Sequence, residues 1–201
     1  SSGTQTVGHG LNSAPEYILF KNIDDTSSWV IYSEPVGTGG FLITNSTNGT
    51  NTSDVAGTFN STAPTNNVFT VGTNNAVGGN GETIIAYCFH SVEGYSKIGT
   101  FQGNSDSNGT FVYLGFRPAW VLIKSTSSGT SWCIFDSKRL GYNVDNNLMR
   151  IGNVTEQTDD DVDFVSNGLK FRRSSTNFNN SSHTYVYLAL AEAPFKFSNA
   201  R

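Results

Sequence analysis

The chain has 201 residues, enough for one large domain or two small ones, and enough to bury a core without a metal or disulfide staple. Apolar residues make up 36% and charged residues only 14%, against a usual ~25%, with Asn, Ser, Thr and Gly filling the difference, so turns and strand edges are favoured over helix interiors. The formal charge of −4 argues against a nucleic-acid partner, and the longest apolar run, Tyr185 to Ala191, is far too short for a membrane-spanning helix.

The sequence opens on Ser1-Ser2-Gly3 rather than Met and shows no signal-peptide pattern, as a fragment or processed product would. Short runs of Val, Ile, Phe, Tyr and Thr then follow, separated by Gly/Asn/Ser clusters, which is the pattern of an all-β protein. Strands are predicted at 17–22, 29–33, 41–44 and 68–71. Between the last two, Asn45 to Ser53 holds no apolar residue and reads as a solvated loop. Further strands are predicted at 83–90, 95–101, 110–115, 119–124, 131–136, 148–151, 163–165, 168–172, 184–191 and 195–198. In 83–90 both alternating faces are largely apolar, so that strand is expected to be central and covered on both sides. Asn80-Gly81, Asn108-Gly109 and Asn167-Gly168 are the hairpin signals. No helix beyond a short turn is predicted. Cys88 and Cys133 fall mid-strand at positions that suit inert buried thiols rather than a disulfide framework.

The second half repeats the first. Ala14-Pro15-Glu16-Tyr17-Ile18-Leu19-Phe20-Lys21 and then Trp29 match Arg117-Pro118-Ala119-Trp120-Val121-Leu122-Ile123-Lys124 and then Trp132, with Pro15, Lys21 and Trp29 each 103 positions before their partners. Glu82 to Tyr87 matches His183 to Leu188, and Glu93-Gly94-Tyr95-Ser96-Lys97-Ile98 matches Glu192-Ala193-Pro194-Phe195-Lys196-Phe197. The duplication predicts two tandem antiparallel β-sandwich units of lectin-like or jelly-roll-like form, residues 1–98 and 99–201, with packing as one continuous unit as the alternative. Trp29 and Trp132, repeated within apolar strands, are expected at equivalent core positions.

Candidate sites are few. Asp159-Asp160-Asp161-Val162-Asp163 is the carboxylate cluster, and Asp159, Asp161 and Asp163 would be the ligands of any Ca²⁺ ion. The EF-hand pattern fails there, because Phe164 stands where glycine is needed, and a charged loop is the favoured reading. Otherwise no cofactor is expected. Of the eight Asn-x-Ser/Thr triplets, about five would arise by chance from this composition. His9, His90 and His183 are the histidines, and no Gly-x-Ser-x-Gly elbow or closely spaced Glu pair accompanies them, so no enzyme is expected. Tyr142, Asn146 and Asn147 are the candidate ligand contacts, an aromatic and two amides in a loop.

His9-Gly10-Leu11, Ala14-Pro15, Lys21-Asn22, Gly115-Phe116-Arg117-Pro118-Ala119, Lys124, Asn167-Gly168 and the stretch from Ala191 to Arg201 together resemble a domain of unknown function carried by tail and other virion proteins of marine tailed bacteriophages. Asn12 departs from the His-Gly-Leu-Gly form of that family. The resemblance implies a lectin-like sandwich in the virion, most naturally a tail-fibre or receptor-binding module that recognises host-surface carbohydrate, contacts other virion proteins and assembles as a homotrimer. It supplies no catalytic residue. A capsid-decorating protein without a ligand and a glycan-cleaving enzyme are the alternatives.

Overall fold

The structure, a computed structural model, describes residues 3–139, 147–153, 156–157 and 162–193. The chain divides into two compact units, the first ending at His90 and the second starting at Ser91. Both are built almost wholly of antiparallel strands, and no helix among the described residues is long and apolar enough to cross a membrane.

Unit 1 carries β1 (Gln5–Gly8), β2 (Tyr17–Asn22), β3 (Val30–Ser33), β4 (Leu42–Ile43), α1 (Val55–Phe59), β5 (Val68–Val71), α2 (Asn75–Gly78) and β6 (Ile84–Phe89). Its four-stranded sheet runs β4-β3-β2-β6, and a two-stranded ribbon pairs β1 with β5. The pleat sends Ile18 and Phe20 of β2, Val30 and Tyr32 of β3, and Phe69 and Val71 of β5 into one core. Phe59 of α1 fills its centre, with its ring 6.0 Å from Phe20 and 5.5 Å from Tyr32. Each helix is a single turn held by a side-chain cap: Asp54 accepts from Gly57 N–H, and Asn74 from Ala76 N–H.

Unit 2 carries β7 (Ser96–Gln102), β8 (Phe111–Tyr113), β9 (Pro118–Ser125), β10 (Cys133–Asp136), β11 (Leu148–Arg150), β12 (Val162–Val165), β13 (Gly168–Phe171) and β14 (Thr184–Ala191). A five-stranded sheet, β11-β10-β9-β14-β7, faces a three-stranded one, β12-β13-β8. Between them lie Val121, Ile123, Phe135, Tyr185 and Tyr187 from the first sheet and Val112, Phe164, Leu169 and Phe171 from the second.

The repeat is visible strand by strand. β2, β3, β4 and β6 take the places in unit 1 that β9, β10, β11 and β14 take in unit 2, and the β1–β5 pair matches β8–β13. Lys21 and Lys124 do the same job: each Nζ donates to the carbonyl of a residue six positions on, Ser27 or Thr130, at 2.8 Å, and closes the loop between two paired strands. The strands predicted from 17–22 through 184–191 are all present, and the one predicted at 195–198 lies outside the described residues. β7 spans the boundary expected at 98/99 and pairs with β14, so the division falls earlier, after His90.

Trp29 corrects the expectation of matched core tryptophans. Trp132 is 2% exposed, whereas Trp29 is 39% exposed. Their backbones are equivalent, since the carbonyl of each accepts from the strand beyond, Trp29 from Thr44 and Trp132 from Ile151, both at 3.1 Å. One recorded difference lies in the bonding of the preceding residue. Ser131 N–H donates to Asn177 Oδ1 (3.1 Å) and holds the 175–179 turn beside Trp132, while the corresponding Ser28 makes no such bond among the described residues.

Candidate functional site

Of the residues singled out as ligand contacts, Tyr142 and Asn146 lie outside the described residues, as do Asp159 and Asp161. Asn147 is 7% exposed at the entry to β11, so it is not presented to solvent as a loop contact would be. Asp163 sits on β12, almost wholly buried, with Oδ2 held 2.5 Å from Arg172 Nε. It is thus committed to an ion pair along the β12–β13 hairpin. No group of three or more His, Cys, Asp or Glu side chains that could hold a metal ion occurs among the described residues. Cys88 and Cys133 are free thiols.

The Asn/Ser/Thr-rich loops spend their side chains on their own backbones. Asn179, fully buried, donates from Nδ2 to the carbonyls of Asp106 (3.0 Å) and Arg173 (2.9 Å), and its Oδ1 accepts from Asn104 N–H (3.1 Å). Asn104, Asp106 and Asn180 each bond a backbone N–H two residues on, the turn that a short amide or carboxylate side chain makes readily. These loops are pre-shaped rather than free to wrap a ligand. Burial also closes the triplet at Asn179 to glycosylation. Asn179→Ala is expected to cost about 2 kcal/mol, because it orphans two buried carbonyls and one N–H; a urea denaturation midpoint measures it.

Aromatic and charged side chains are presented together on the outer face of β8, the strand expected at 110–115. Strand alternation turns Val112 and Leu114 inward and Phe111 and Tyr113 outward, where they are 45% and 59% exposed. Phe111 lies against Gly168 on the next strand, at a point where the glycine is required: a Cβ there would meet the Val112 carbonyl oxygen at 2.1 Å. Lys97, on β7, places its ammonium 5.1 Å from the centre of the Tyr113 ring and donates to the Tyr113 carbonyl at 3.0 Å. One side of the phenol is therefore fixed while much of the ring stays open to solvent.

Beside this strand a tight turn closes between paired Val92 and Ser96, with Gly94 at φ +74° and Tyr95 N–H donating to the Val92 carbonyl. The hydroxyl of Ser91 accepts from Ile98 N–H, and that of Ser96 from Val92 N–H, which holds the turn upright. Glu93 and Tyr95 project at its tip, Tyr95 40% exposed. Turn and strand enclose a cleft of about 360 Å³ lined by Glu93, Ser96, Lys97, Tyr113 and Phe116, and a second hollow of about 520 Å³ shares Glu93, Gly94, Gly115 and Phe116. Exposed rings, a carboxylate, an ammonium and hydroxyls thus converge on one side of unit 2.

The sequence model of one family, described as a domain of unknown function (DUF7483), matches residues 1–194. The chain belongs to this family. No curated protein and no solved structure matches it significantly. The DUF7483 match runs across both units, so the family is defined on the duplicated pair rather than on either half.

Among the described residues, two other constellations in this DUF7483 domain have part of the form of catalytic chemistry. Ser128 Oγ lies 3.1 Å from His183 Nε2, the first half of a nucleophile–base pair. Tyr185 gives its one proton to the Thr176 carbonyl (2.9 Å), so towards His183 Nδ1, at 3.4 Å, the phenol can only accept. Where a triad has a carboxylate, His183 has a neutral phenol whose pKa burial pushes up to about 12. The pair instead ties the 126–130 loop to the start of β14, alongside Thr126 and Ser127, which bond Thr184. Likewise Asp136 and Glu156 are both held by Arg139, at 2.7 and 3.1 Å, and neither is left as an acid in apolar surroundings, as glycoside hydrolysis needs.

Proposed function

We propose that this chain is a non-enzymatic carbohydrate-recognition module of a phage virion, a tail-fibre or receptor-binding domain that contacts host-surface glycan through the exposed face of β8. The outward pair Phe111 and Tyr113 beside Lys97 and the adjoining cleft carries the reading. Sugar rings pair a flat C–H face with a rim of hydroxyls, and this surface offers aromatic faces next to the carboxylate of Glu93 and the ammonium of Lys97. The pre-shaped loops support it as well, since a rigid frame loses little entropy on binding. Placement in the virion, contacts with other virion proteins and a homotrimeric state rest on the sequence resemblance. Trimerisation fits a shallow site, because several weak contacts facing one way gain about 10²–10⁴ in avidity.

A glycan array probed with the 201-residue chain, followed by calorimetry on the best ligand, tests the proposal. Tyr113→Ala is expected to weaken binding about tenfold or more, as the loss of an aromatic anchor does, without loss of secondary structure. Binding unchanged by Tyr113→Ala and Phe111→Ala would move the site elsewhere. No binding at all would favour a structural or capsid-decorating role, and release of reducing sugar would make it an enzyme.

A further inference from the structure

We propose that the cleft beside β8 takes an uncharged sugar, and that Glu93 is the specificity-determining residue that turns acidic sugars away. The inference rests on the glycan reading above and names the class of glycan. Glu93 is held outward by its turn. Gly94 bends the chain at φ +74°, and the N–H groups of Tyr95 and Ser96 both donate to the Val92 carbonyl, at 2.9 and 3.0 Å. The Glu93 side chain is exposed and lines both hollows. It makes no hydrogen bond or ion pair among the described residues.

The cations near it are already engaged. Lys97 places its ammonium 5.1 Å from the centre of the Tyr113 ring and gives one N–H to the Tyr113 carbonyl. Arg117, next in the chain to Phe116 of the cleft, is held 2.9 Å from Glu192 and also donates to the Phe164 carbonyl. The repeat sharpens the contrast. Glu192 is the counterpart of Glu93, 99 positions on, and there Arg117 neutralises the carboxylate. Arg117 has Ala14 as its own counterpart, 103 positions earlier, so the first repeat carries the glutamate without the guanidinium.

A carboxylate only accepts hydrogen bonds and an ammonium only donates them, whereas a sugar hydroxyl does both. One hydroxyl can therefore give its proton to Glu93 while another accepts from an N–H that Lys97 has left. The flat C–H face of the sugar then lies on the open part of the Tyr113 ring. Hydrogen bonds to ionised groups of this kind are about twice as strong as neutral ones. An acidic sugar brings a second acceptor of the same charge to Glu93, and only the engaged Lys97 faces it from the cleft wall. Specificity of this sort comes from repelling the wrong ligand as much as from bonding the right one.

Titration calorimetry on the 201-residue chain tests this with three matched pairs, each sugar carried in many copies on the same polymer. The pairs are glucose and glucuronic acid, galactose and galacturonic acid, and mannose and mannuronic acid. In the best-bound pair the uncharged sugar is expected to bind about tenfold or more tightly than its acid at about 0.15 M salt. The gap should narrow at 1 M, where the screening length falls to about 3 Å. Glu93→Gln is expected to close the gap, weakening the uncharged sugar and admitting the acid. Glu34→Gln makes the same change in net charge at an exposed position in unit 1 and should leave the gap as it is. An acid that binds as tightly as its uncharged partner overturns the inference, as does a gap that survives Glu93→Gln. In either event Tyr113→Ala still weakens both sugars, and the glycan reading stands. No binding to any pair sinks that reading and this inference with it.

Discussion

Trp132→Ala is expected to lower stability by about 3–5 kcal/mol, while Trp29→Ala costs within about 1 kcal/mol, although the two residues are repeats of each other. Trp132 is enclosed in unit 2, at 2% exposure, beside a turn fixed by the Ser131–Asn177 bond. Deleting the indole leaves a cavity that the surrounding strands cannot close, because β10 is paired on both sides, with β9 and with β11. Trp29 keeps more than a third of its surface in water, so its loss removes contacts without opening a void. Urea denaturation followed by far-UV circular dichroism reads both variants. Equal shifts in midpoint would mean that the two tryptophans are enclosed alike, against the structure.

The same pair shows how far the sequence could be read. The duplication, the strand positions and the matched lysines were legible, because period-2 alternation and matched residue types report backbone position directly, but β6, expected to be central and covered on both sides, ends its sheet among the described residues with Ile85 and Tyr87 exposed. Burial was not, because it depends on what is packed against that position: Trp132 and Trp29 share a backbone position and differ in exposure, 2% against 39%. β1 escaped notice because it carries a single apolar residue, Val7, itself exposed, and is held by pairing with β5 alone. One-turn helices such as α1 and α2 give no periodicity to detect. Asn167-Gly168 marks a true hairpin, between β12 and β13, whereas Asn80-Gly81 and Asn108-Gly109 lie in crossovers between sheets. The site was half legible. Phe111 and Tyr113 stand two apart in a predicted strand, which puts two rings on one face, yet the eye goes first to loops. The Asn, Ser and Thr of those loops resemble ligand donors, but Asn179 and its neighbours satisfy backbone groups within the fold.

Stability is expected to rise between pH 8 and about pH 10 through Lys124, by up to about 3 kcal/mol. The side chain is fully buried on β9, with Nζ donating to the carbonyl and the hydroxyl of Thr130 at 2.8 and 3.3 Å. Burial penalises the charged ammonium and brings its pKa from 10.5 down to about 8, with the neighbouring Cys133 acting weakly the other way. From about pH 8 to 10.5 the unfolded chain holds a proton on this lysine that the folded chain has released. Raising pH through that window therefore favours the folded state. Cys88 and three tyrosines oppose it at the upper end. Burial raises the Cys88 thiol and the phenols of Tyr17, Tyr32 and Tyr185, so the unfolded chain loses those protons first and stability falls once they titrate. The lysine contribution is isolated by Lys124→Met, which keeps the apolar stem and removes the titrating group. Denaturation midpoints measured at half-unit steps from pH 7 to 10 should climb for the unaltered chain relative to Lys124→Met. Parallel profiles would mean that Lys124 keeps its charge in the folded state throughout, with its bonds to Thr130 compensating the burial in full.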